Sequence, residues 1–230
     1  MVIGNGMIAK EFASYHKSND FVIFASGVSD STLASADAFE RERNLLHHTI
    51  QNNPSKKIVY FSTCSIYDPS VQNSAYVKHK LQMEELVSEK QPGYIIFRLS
   101  NPIGKTSNTH TVFNYFIKNI TESLKFEVWK NASRNIIDID DMYTVCNDIL
   151  ENDLFPNQIV NIANPQNYPV PFIVETIEKH FGRKGDYILK DKGDSPHIDI
   201  TAVEPLFRKF NINFEQHYLP DLLKKYFPLK

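Results

Sequence analysis

The stretch IVYFSTCSIYDPSVQNSAYVKHK, residues 58–80, decides the fold of this chain. It opens with a short run of β-branched and aromatic residues, Ile58 to Phe61, which is typical of a buried strand. Thr63 follows at the carboxyl end of that strand, and after a polar loop the sequence becomes helical. Tyr76 and Lys80 are four residues apart in this helix, so their side chains project from one face. Together with Thr63 they form a candidate proton-transfer set.

Length and composition indicate a single globular domain, or one domain with a smaller lobe. The chain has 230 residues, 42% of them hydrophobic and 23% charged, with a formal net charge of −2. This balance indicates no nucleic-acid or other polyionic partner. Cys64 and Cys146 lack the spacing of a metal site, and no apolar run has the length of a membrane span. We therefore expect a cytoplasmic protein without a membrane segment or a bound metal ion.

The segment before the opening stretch has the pattern of a nucleotide-binding turn. A short strand at residues 1–3 leads into Gly4-Asn5-Gly6-Met7-Ile8-Ala9, a G-x-G-x-x-A sequence that begins a helix. Glycines at such a turn let the backbone approach a pyrophosphate, and the helix N-terminus offers N–H groups. The motif alone is weak, because a tight turn that binds no ligand has the same pattern.

A second predicted strand, residues 21–24, ends at Ala25-Ser26-Gly27 and precedes a predicted helix over residues 36–52. With the strand that ends at Thr63, the pattern becomes β-α-β-α-β and predicts a parallel sheet with right-handed crossovers. Ligands on such sheets bind at the carboxyl ends of the strands. Gly4–Gly6, Ala25–Gly27 and Thr63 would converge there.

Downstream of the opening stretch, the periodicity predicts a helix over residues 74–90 and a fourth strand over 94–97. The remaining chain is less regular. Its predicted helices cover residues 111–124, 140–151, 171–182, 203–210 and 220–226, and its predicted extended segments cover 126–129, 135–139, 160–163 and 187–189.

Taken in order, these motifs resemble the extended short-chain dehydrogenase/reductases, the NAD-dependent epimerase/dehydratase family, whose usual substrates are nucleotide sugars. A second Tyr-x-x-x-Lys match, Tyr226 to Lys230, contains a proline and has no preceding strand with a threonine, so we interpret it as structural. The resemblance spans nearly the whole chain and rests on Gly4-x-Gly6-x-x-Ala9, Ser62-Thr63-x-x-x-Tyr67, Tyr76-x-x-x-Lys80 with Glu84, Arg98-x-x-Asn101-x-x-Gly104, Arg134 to Asp141, and Val160 to Asn164.

The resemblance implies an α/β fold, with a Rossmann-like parallel sheet covered by helices on both faces and a small C-terminal α/β substrate lobe. The cofactor domain would comprise residues 1–104, with 140–165 returning to the sheet. The substrate lobe would comprise residues 105–139 and 166–230. The resemblance also implies a homodimer formed through helices 36–52 and 74–90.

The resemblance assigns catalysis to Thr63, Tyr76 and Lys80. Tyr76 would be the acid/base, and Lys80 would lower the pKa of that phenol and bond the nicotinamide ribose of NAD or NADP. Thr63 would hold the reacting oxygen. Taken singly, each residue also fits a structural role: a half-buried aromatic, a solvated charge and a strand-end cap. The implied cofactor contacts are Gly4, Gly6, Met7, Ile8, Ala25, Ser26, Gly27, Tyr76, Lys80 and Ser100, and the implied substrate contacts are Thr63, Asn101, Arg134 and Asp194.

The chain departs from the family pattern in two places. Residues 21–27, which follow the opening helix almost directly, correspond to the family's fourth strand, so the usual second and third strands are missing. The adenine half of the cofactor site would then be reduced, and the preference for NAD or NADP cannot be read. A rival alignment makes 21–24 the second strand and Asp30 the ribose-binding acid. The loop between Tyr67 and Tyr76 is also unusually short.

These features predict an NAD(P)-dependent enzyme that acts on a nucleotide-activated sugar. Family dehydratases carry two acidic residues where this chain has Cys64-Ser65, which argues against water elimination and leaves a reductase or an epimerase. Keto-sugar reduction is the preferred reaction. The alternative is a binding module that kept the fold and lost its cofactor, and the missing strands motivate it.

Overall fold

The computed structural model describes residues 1–28, 35–106, 108, 111–215 and 217–229. Its strands are β1 (Val2–Ile3), β2 (Phe21–Phe24), β3 (Lys57–Thr63), β4 (Tyr94–Leu99), β5 (Asn101–Ile103), β6 (Lys125–Trp129), β7 (Ser133–Asp138), β8 (Ile159–Ile162), β9 (Asn167–Pro169) and β10 (Asp186–Lys190). Its α-helices are α1 (Met7–Glu11), α2 (Ala36–Asn52), α3 (Ala75–Lys90), α4 (Val112–Thr121), α5 (Ile139–Glu151), α6 (Val170–Phe181), α7 (Glu204–Lys209) and α8 (Tyr218–Tyr226).

The main sheet is parallel and has the strand order β1-β2-β3-β4-β8. The predicted Rossmann-like α/β class is therefore confirmed. In the common order for this fold, the second strand lies on the far side of the first from the fourth. Here β2 lies between β1 and the strand of Thr63, as the fourth strand does, and β1 is at the edge. Among the described residues no strand pairs with the outer side of β1, in agreement with the predicted absence of two strands. Asp30 lies outside the described residues.

The two faces of the sheet are covered by different helices. Alternate strand residues point to opposite faces, so Ile58 and Tyr60 pack under α2 and α3, while Val59 and Phe61 pack under α1 and α5. The strands advance across the sheet in one direction, yet α1 and α2 lie on opposite faces. The crossovers through α1 and α2 therefore have opposite hands, and one of them departs from the predicted right-handed rule. The opposite hands arise because α1 packs on the face of the sheet that α5 covers, and the chain then runs from α1 directly to β2, the strand next to β1.

The helix that carries Tyr76 and Lys80 begins where its sequence indicates. Ser74 is its N-cap, and the Ser74 hydroxyl accepts a hydrogen bond from the Val77 amide at 3.2 Å. Such a bond satisfies one of the free amides at a helix start. The opening helix is short: α1 ends at Glu11, and a 3₁₀ turn covers Ala13–Lys17.

The second half of the chain adds two small sheets, β5-β7-β9 and β6-β10. With α4, α6 and α8 they enclose a second hydrophobic core, which includes Phe113, Ile136, Ile173 and Leu222. The strands β5 and β9 were not predicted. The division into a cofactor domain and a substrate lobe stays a prediction. No helix in the described ranges is both long enough and apolar enough to cross a bilayer.

Candidate active site

A cavity of about 610 Å³ opens at the carboxyl ends of β1 to β4, between the main sheet and the second core. Its volume is in the range of small-molecule sites. Three of the predicted contact residues, Gly4, Ser26 and Asp194, do not line it. The predicted residues that do line it are Gly6, Met7, Ile8, Ala25, Gly27, Thr63, Tyr76, Lys80, Ser100, Asn101 and Arg134.

The glycine turn at the start of α1 has one structural glycine and one that faces the cavity. Gly4 has a φ of +124°, and a Cβ there would lie 2.3 Å from the Ala25 carbonyl oxygen. Gly4 therefore allows the turn to pack on the end of β2, which explains its place outside the cavity lining. Gly6 is the N-cap of α1 and makes no side-chain cap bond. A Cβ on Gly6 would meet no atom of the described residues within 4 Å, so within that part of the chain the turn is open to a ligand.

Thr63 has the capping role that was considered from the sequence, and it also lines the cavity. Its Oγ1 accepts a hydrogen bond from the Ser65 amide and donates one to the Ser65 hydroxyl, each at 3.0 Å. These bonds hold the 3₁₀ turn Cys64–Tyr67 at the end of β3. The neighbouring Cys64 donates to the Arg98 carbonyl oxygen at 3.1 Å, and burial raises the pKa of its thiol to about 12. Cys64 is therefore a packing residue rather than a nucleophile.

Tyr76 and Lys80 lie one turn apart in α3, and both are buried. The ammonium group of Lys80 is held inside the protein. In the part of the chain that the structure describes, three acceptors surround it: Oε1 of Glu42 at 3.1 Å, the hydroxyl of Tyr60 at 3.1 Å and the carbonyl of Phe61 at 3.4 Å. A lysine has three N–H donors. A bond to a nicotinamide ribose would therefore have to displace one of these partners, which the sequence did not indicate.

Glu42 is the main buried residue that the sequence analysis missed. Its carboxylate also accepts bonds from the Tyr60 hydroxyl at 2.7 Å and the Val28 amide at 2.6 Å, and it lies 3.0 Å from Nε2 of His79. Burial by itself raises the pKa of this carboxyl group, but His79, Lys80 and these donors lower it to about 2. Glu42 lies among charged residues in α2, so its sequence context resembled a solvated helix face.

Gly27 places the loop after β2 directly against this ion pair. A Cβ on Gly27 would lie 2.5 Å from Nζ of Lys80 and 2.9 Å from Oε1 of Glu42. Side chains essentially never approach so closely, so the backbone at Gly27 depends on the absence of a side chain. Burial lowers the pKa of Lys80 and the negative charge of Glu42 opposes this.

A second ion pair, between Arg134 and Asp68, also lines the cavity. Nη1 of Arg134 lies 3.6 Å from Oδ2 of Asp68 and donates to the Ser133 carbonyl at 2.8 Å. Burial lowers the pKa of Arg134, and Asp68 opposes this. Nearby, the Asn101 amide donates to the carbonyl of Asn135 at 2.7 Å. Asp68 and Asn135 also line the cavity, and neither was predicted.

Three residues of the quoted motifs support the cavity without forming its wall. Arg98 donates from Nε and Nη2 to the two oxygens of Glu84 at 2.9 and 2.6 Å, and from Nη1 to the Tyr67 hydroxyl at 3.1 Å. This bidentate pair holds α3 to β4.

Outside the cavity, the exposed Asp194 accepts a bond from the Ser133 amide through its backbone oxygen. Tyr226 donates to Asp138 at 2.6 Å, and Lys230 lies outside the described residues.

Ser100 also lines this cavity. Its hydroxyl oxygen is buried and has no hydrogen-bond partner among the described residues. A buried hydroxyl without a partner is unfavourable by roughly 1–3 kcal/mol, so a bound ligand that bonds to it would gain from the contact. With the open turn at Gly6, Ser100 offers polar groups to a ligand at the sheet side of the cavity.

Comparison with known proteins gives a consistent result. The model of the NAD dependent epimerase/dehydratase family matches residues 9–163. No curated protein sequence matches the chain significantly.

Among solved structures, the chain is similar to RMD from Pseudomonas aeruginosa complexed with NADPH, with 14% identity, a TM-score of 0.72, and coverage of 97% of this chain and 96% of that one. It is also similar to Pal from Bacillus thuringiensis (17% identity, TM-score 0.69, coverage 94% and 77%). A third is UDP-glucose 4-epimerase from Thermus thermophilus in complex with NAD (13%, 0.66, 86% and 75%). At these identities the structures show a shared fold.

Proposed function

Because this chain belongs to the NAD dependent epimerase/dehydratase family, we propose that it is an NAD(P)-dependent oxidoreductase or epimerase of nucleotide-activated sugars. Its preferred reaction is the reduction of a keto-sugar. The observation that carries this proposal is the cavity at the carboxyl ends of the strands, which brings Thr63, Tyr76 and Lys80 together with the glycine turn of α1.

The cavity fits part of a dinucleotide. The amides that follow Gly6 would receive the pyrophosphate, and the buried hydroxyl of Ser100 would receive a polar group of the nicotinamide end. When bound, the nicotinamide exchanges a hydride with a carbon of the substrate. Solved proteins with this fold hold NADPH or NAD. The outer side of β1 has no flanking strand in the described ranges, so the adenosine half would have less support and bind more weakly.

Tyr76 is the acid/base in this proposal. Its phenol would give a proton to the oxygen of a carbonyl substrate as the carbon is reduced, or take one when the reaction runs in reverse. Lys80 favours the phenolate through its positive charge. Thr63 would orient the reacting oxygen, since its hydroxyl is already fixed by Ser65 at the rim of β3.

Arg134 would bind the diphosphate of the nucleotide sugar. A guanidinium group suits two phosphate oxygens at once. Because the contact between Arg134 and Asp68 is long, a ligand can replace Asp68 as the partner of Arg134. Asn101 would contact the nucleotide part from the same wall of the cavity.

Substitution of Tyr76 by Phe tests the reaction. Oxidation of NADH or NADPH would be followed with a panel of nucleotide-activated keto-sugars. Tyr76→Phe should lower turnover by about 10²–10⁴-fold while cofactor affinity and thermal stability stay unchanged, because acid/base groups contribute on this scale. Tyr115→Phe, in an exposed part of α4, is the control. Activity retained in Tyr76→Phe would rule out the mechanism.

A second candidate function is a binding module that has lost catalysis. The observation that favours it is the engagement of Lys80 by Glu42, Tyr60 and Phe61, together with the edge position of β1. Calorimetric titration with NADH and with NADPH separates the two functions. Binding of neither, with nucleotide sugars present, would favour the module.

We also propose a homodimer formed through α2 and α3. Leu45 and Leu81, one on each helix, are 38% and 40% exposed. Apolar side chains on two neighbouring helices are a surface that a second copy would cover. Light scattering at micromolar concentration should give a dimer, and Leu81→Glu should give a monomer. A monomeric wild type would exclude a tight dimer.

A further inference from the structure

Glu42 joins the elements that surround Lys80. From α2 it contacts Tyr60 of β3, His79 and Lys80 of α3, and the amide of Val28 after β2, all at 3.1 Å or less. A surface charge would not make so many buried bonds. We propose that Glu42 is a positioning residue, which fixes the ammonium group of Lys80 in the floor of the cavity and ties it to the loop after β2. This inference rests on the proposed function of Tyr76.

Lys80 requires such a partner because it is buried. Removing an ammonium group from water disfavours its charged form, and a nearby carboxylate restores it. Burial lowers the pKa of Lys80, and Glu42 is the first of the groups that oppose this. Among the described residues, the ionisable groups that face the pair are Tyr60 from β3 and His79, Tyr76 and Glu84 from α3.

Glu42 therefore determines how Lys80 acts on Tyr76. The three N–H donors of Lys80 are directed at Glu42, Tyr60 and Phe61. Lys80 then stabilises the Tyr76 phenolate by its charge, from a fixed position, and leaves the nicotinamide ribose to other groups. Tyr76 is close enough to this cluster to raise the pKa of Tyr60, which burial already raises. Without Glu42, burial would favour the neutral form of Lys80, and Tyr76 would lose the charge that favours its phenolate.

The test measures ionisation of Tyr76 without cofactor or substrate. The ultraviolet absorbance of tyrosinate is titrated in the wild type and in Tyr76→Phe, and the difference isolates Tyr76. In the Glu42→Gln background, the midpoint for Tyr76 should rise by about one pH unit or more, since an opposite charge shifts a pKa by about 1–3 units. An unchanged or lowered midpoint overturns the proposal.

Glu178→Gln is the matched control. Glu178 is a buried glutamate of α6 that binds Lys184 at 2.8 Å and the Gly185 amide at 2.8 Å, and it does not line the cavity. Glu178 thus resembles Glu42 in its contacts with a lysine and a backbone amide, but it belongs to a different part of the protein. Its substitution should leave the midpoint for Tyr76 unchanged. An equal shift in both variants would mean a general loss of structure and would overturn the positioning role.

A further variant covers the case in which Glu42→Gln does not fold. Lys80→Met and the double variant Glu42→Gln/Lys80→Met both lack the lysine charge, so neither contains a buried ammonium group without its carboxylate partner. If Glu42 acts through Lys80, the two variants should have the same midpoint for Tyr76. A larger shift in the double variant overturns the proposal. A wild type without any ionisation of Tyr76 below the other tyrosines would instead refute the proposed acid/base itself, and the inference with it.

Discussion

Two ion pairs contribute to the cavity, and the protein holds them in different ways: Lys80, Arg134 and Asp68 line it, whereas Glu42 is buried outside its lining. The side chains of Lys80 and Glu42 are 4% and 0% exposed, and their charged atoms lie 3.1 Å apart. The side chains of Arg134 and Asp68 are 24% and 10% exposed, at 3.6 Å. In the first pair both charged groups share a network with Tyr60 and the Val28 amide. In the second, Asp68 accepts bonds from Ser70 and Arg134 donates to the Ser133 carbonyl, but the contact between the two charges is long. The first pair is therefore part of the fold, and the second is placed to exchange a protein partner for a ligand.

The two ion pairs should differ most in their effect on stability when one partner of the buried pair is removed. Glu42→Leu leaves the Lys80 ammonium buried without its carboxylate, so the free energy of unfolding should fall by about 3–5 kcal/mol. Urea denaturation measures it. Glu42→Leu/Lys80→Met, which removes both charges, should recover most of the loss. Asp68→Asn, at the looser pair, should cost clearly less than Glu42→Leu, because the amide oxygen of asparagine can still accept the bonds from Ser70. Equal losses for the two pairs would contradict the comparison.

Acid should separate the pairs through Glu42. The pKa of its carboxyl group is lowered from 4.5 to about 2: burial raises it, and the bonds from His79, Lys80 and Val28 outweigh burial. A carboxyl group whose pKa is lower in the folded than in the unfolded state stabilises the fold at pH values above the unfolded pKa. This stabilisation is lost as the pH falls through the folded pKa. The difference in unfolding free energy between the wild type and Glu42→Gln should therefore decrease by about 3 kcal/mol as the pH falls from above 5 to below about 2. A difference that does not depend on pH would contradict this assignment.

The looser pair should be sensitive to ligand rather than to acid. Arg134→Ala should weaken the binding of UDP by about 10–100-fold, since a hydrogen bond to a charged group is worth about 1.5–3 kcal/mol. Asp68→Asn should strengthen it, because Arg134 no longer has a competing carboxylate. Calorimetry with UDP measures both. Weaker binding in Asp68→Asn would mean that Asp68 itself contacts the nucleotide.

The smallest effect is expected at Asp194. Its side chain is exposed and does not line the cavity. Asp194→Ala should change the affinity for UDP by less than about twofold, because substitutions of exposed residues away from a site have small effects. The same calorimetric titration applies. A loss of tenfold or more would instead support the substrate contact that the family resemblance implies for Asp194.

Local sequence signals were sufficient for most elements of the main sheet. The helical periodicity of residues 74–90 and of residues 36–52 predicted α3 and α2. The strands β5 and β9 were missed because each has three residues and includes a proline. Such short segments become strands through their pairing with β7, and nothing in their own sequence requires it.

The candidate site divides in the same way. Thr63, Tyr76, Lys80 and Arg134 were proposed from their motifs, and the structure brings them to one cavity. Glu42 and Asp68 have no motif. The side chain of Glu42 meets Lys80 from 38 residues away, and only the packing of α2 on α3 places it there.

By itself, the sequence determined the parallel sheet, the short connection from β1 to β2 and the residue types at the strand ends. These depend on periodicity, helix caps and the order of motifs, which are local. Only the tertiary structure decided which charges neutralise one another in the cavity. A charge in an amphipathic helix has the same local pattern whether it faces water or a buried lysine, and the difference arises when the helices pack.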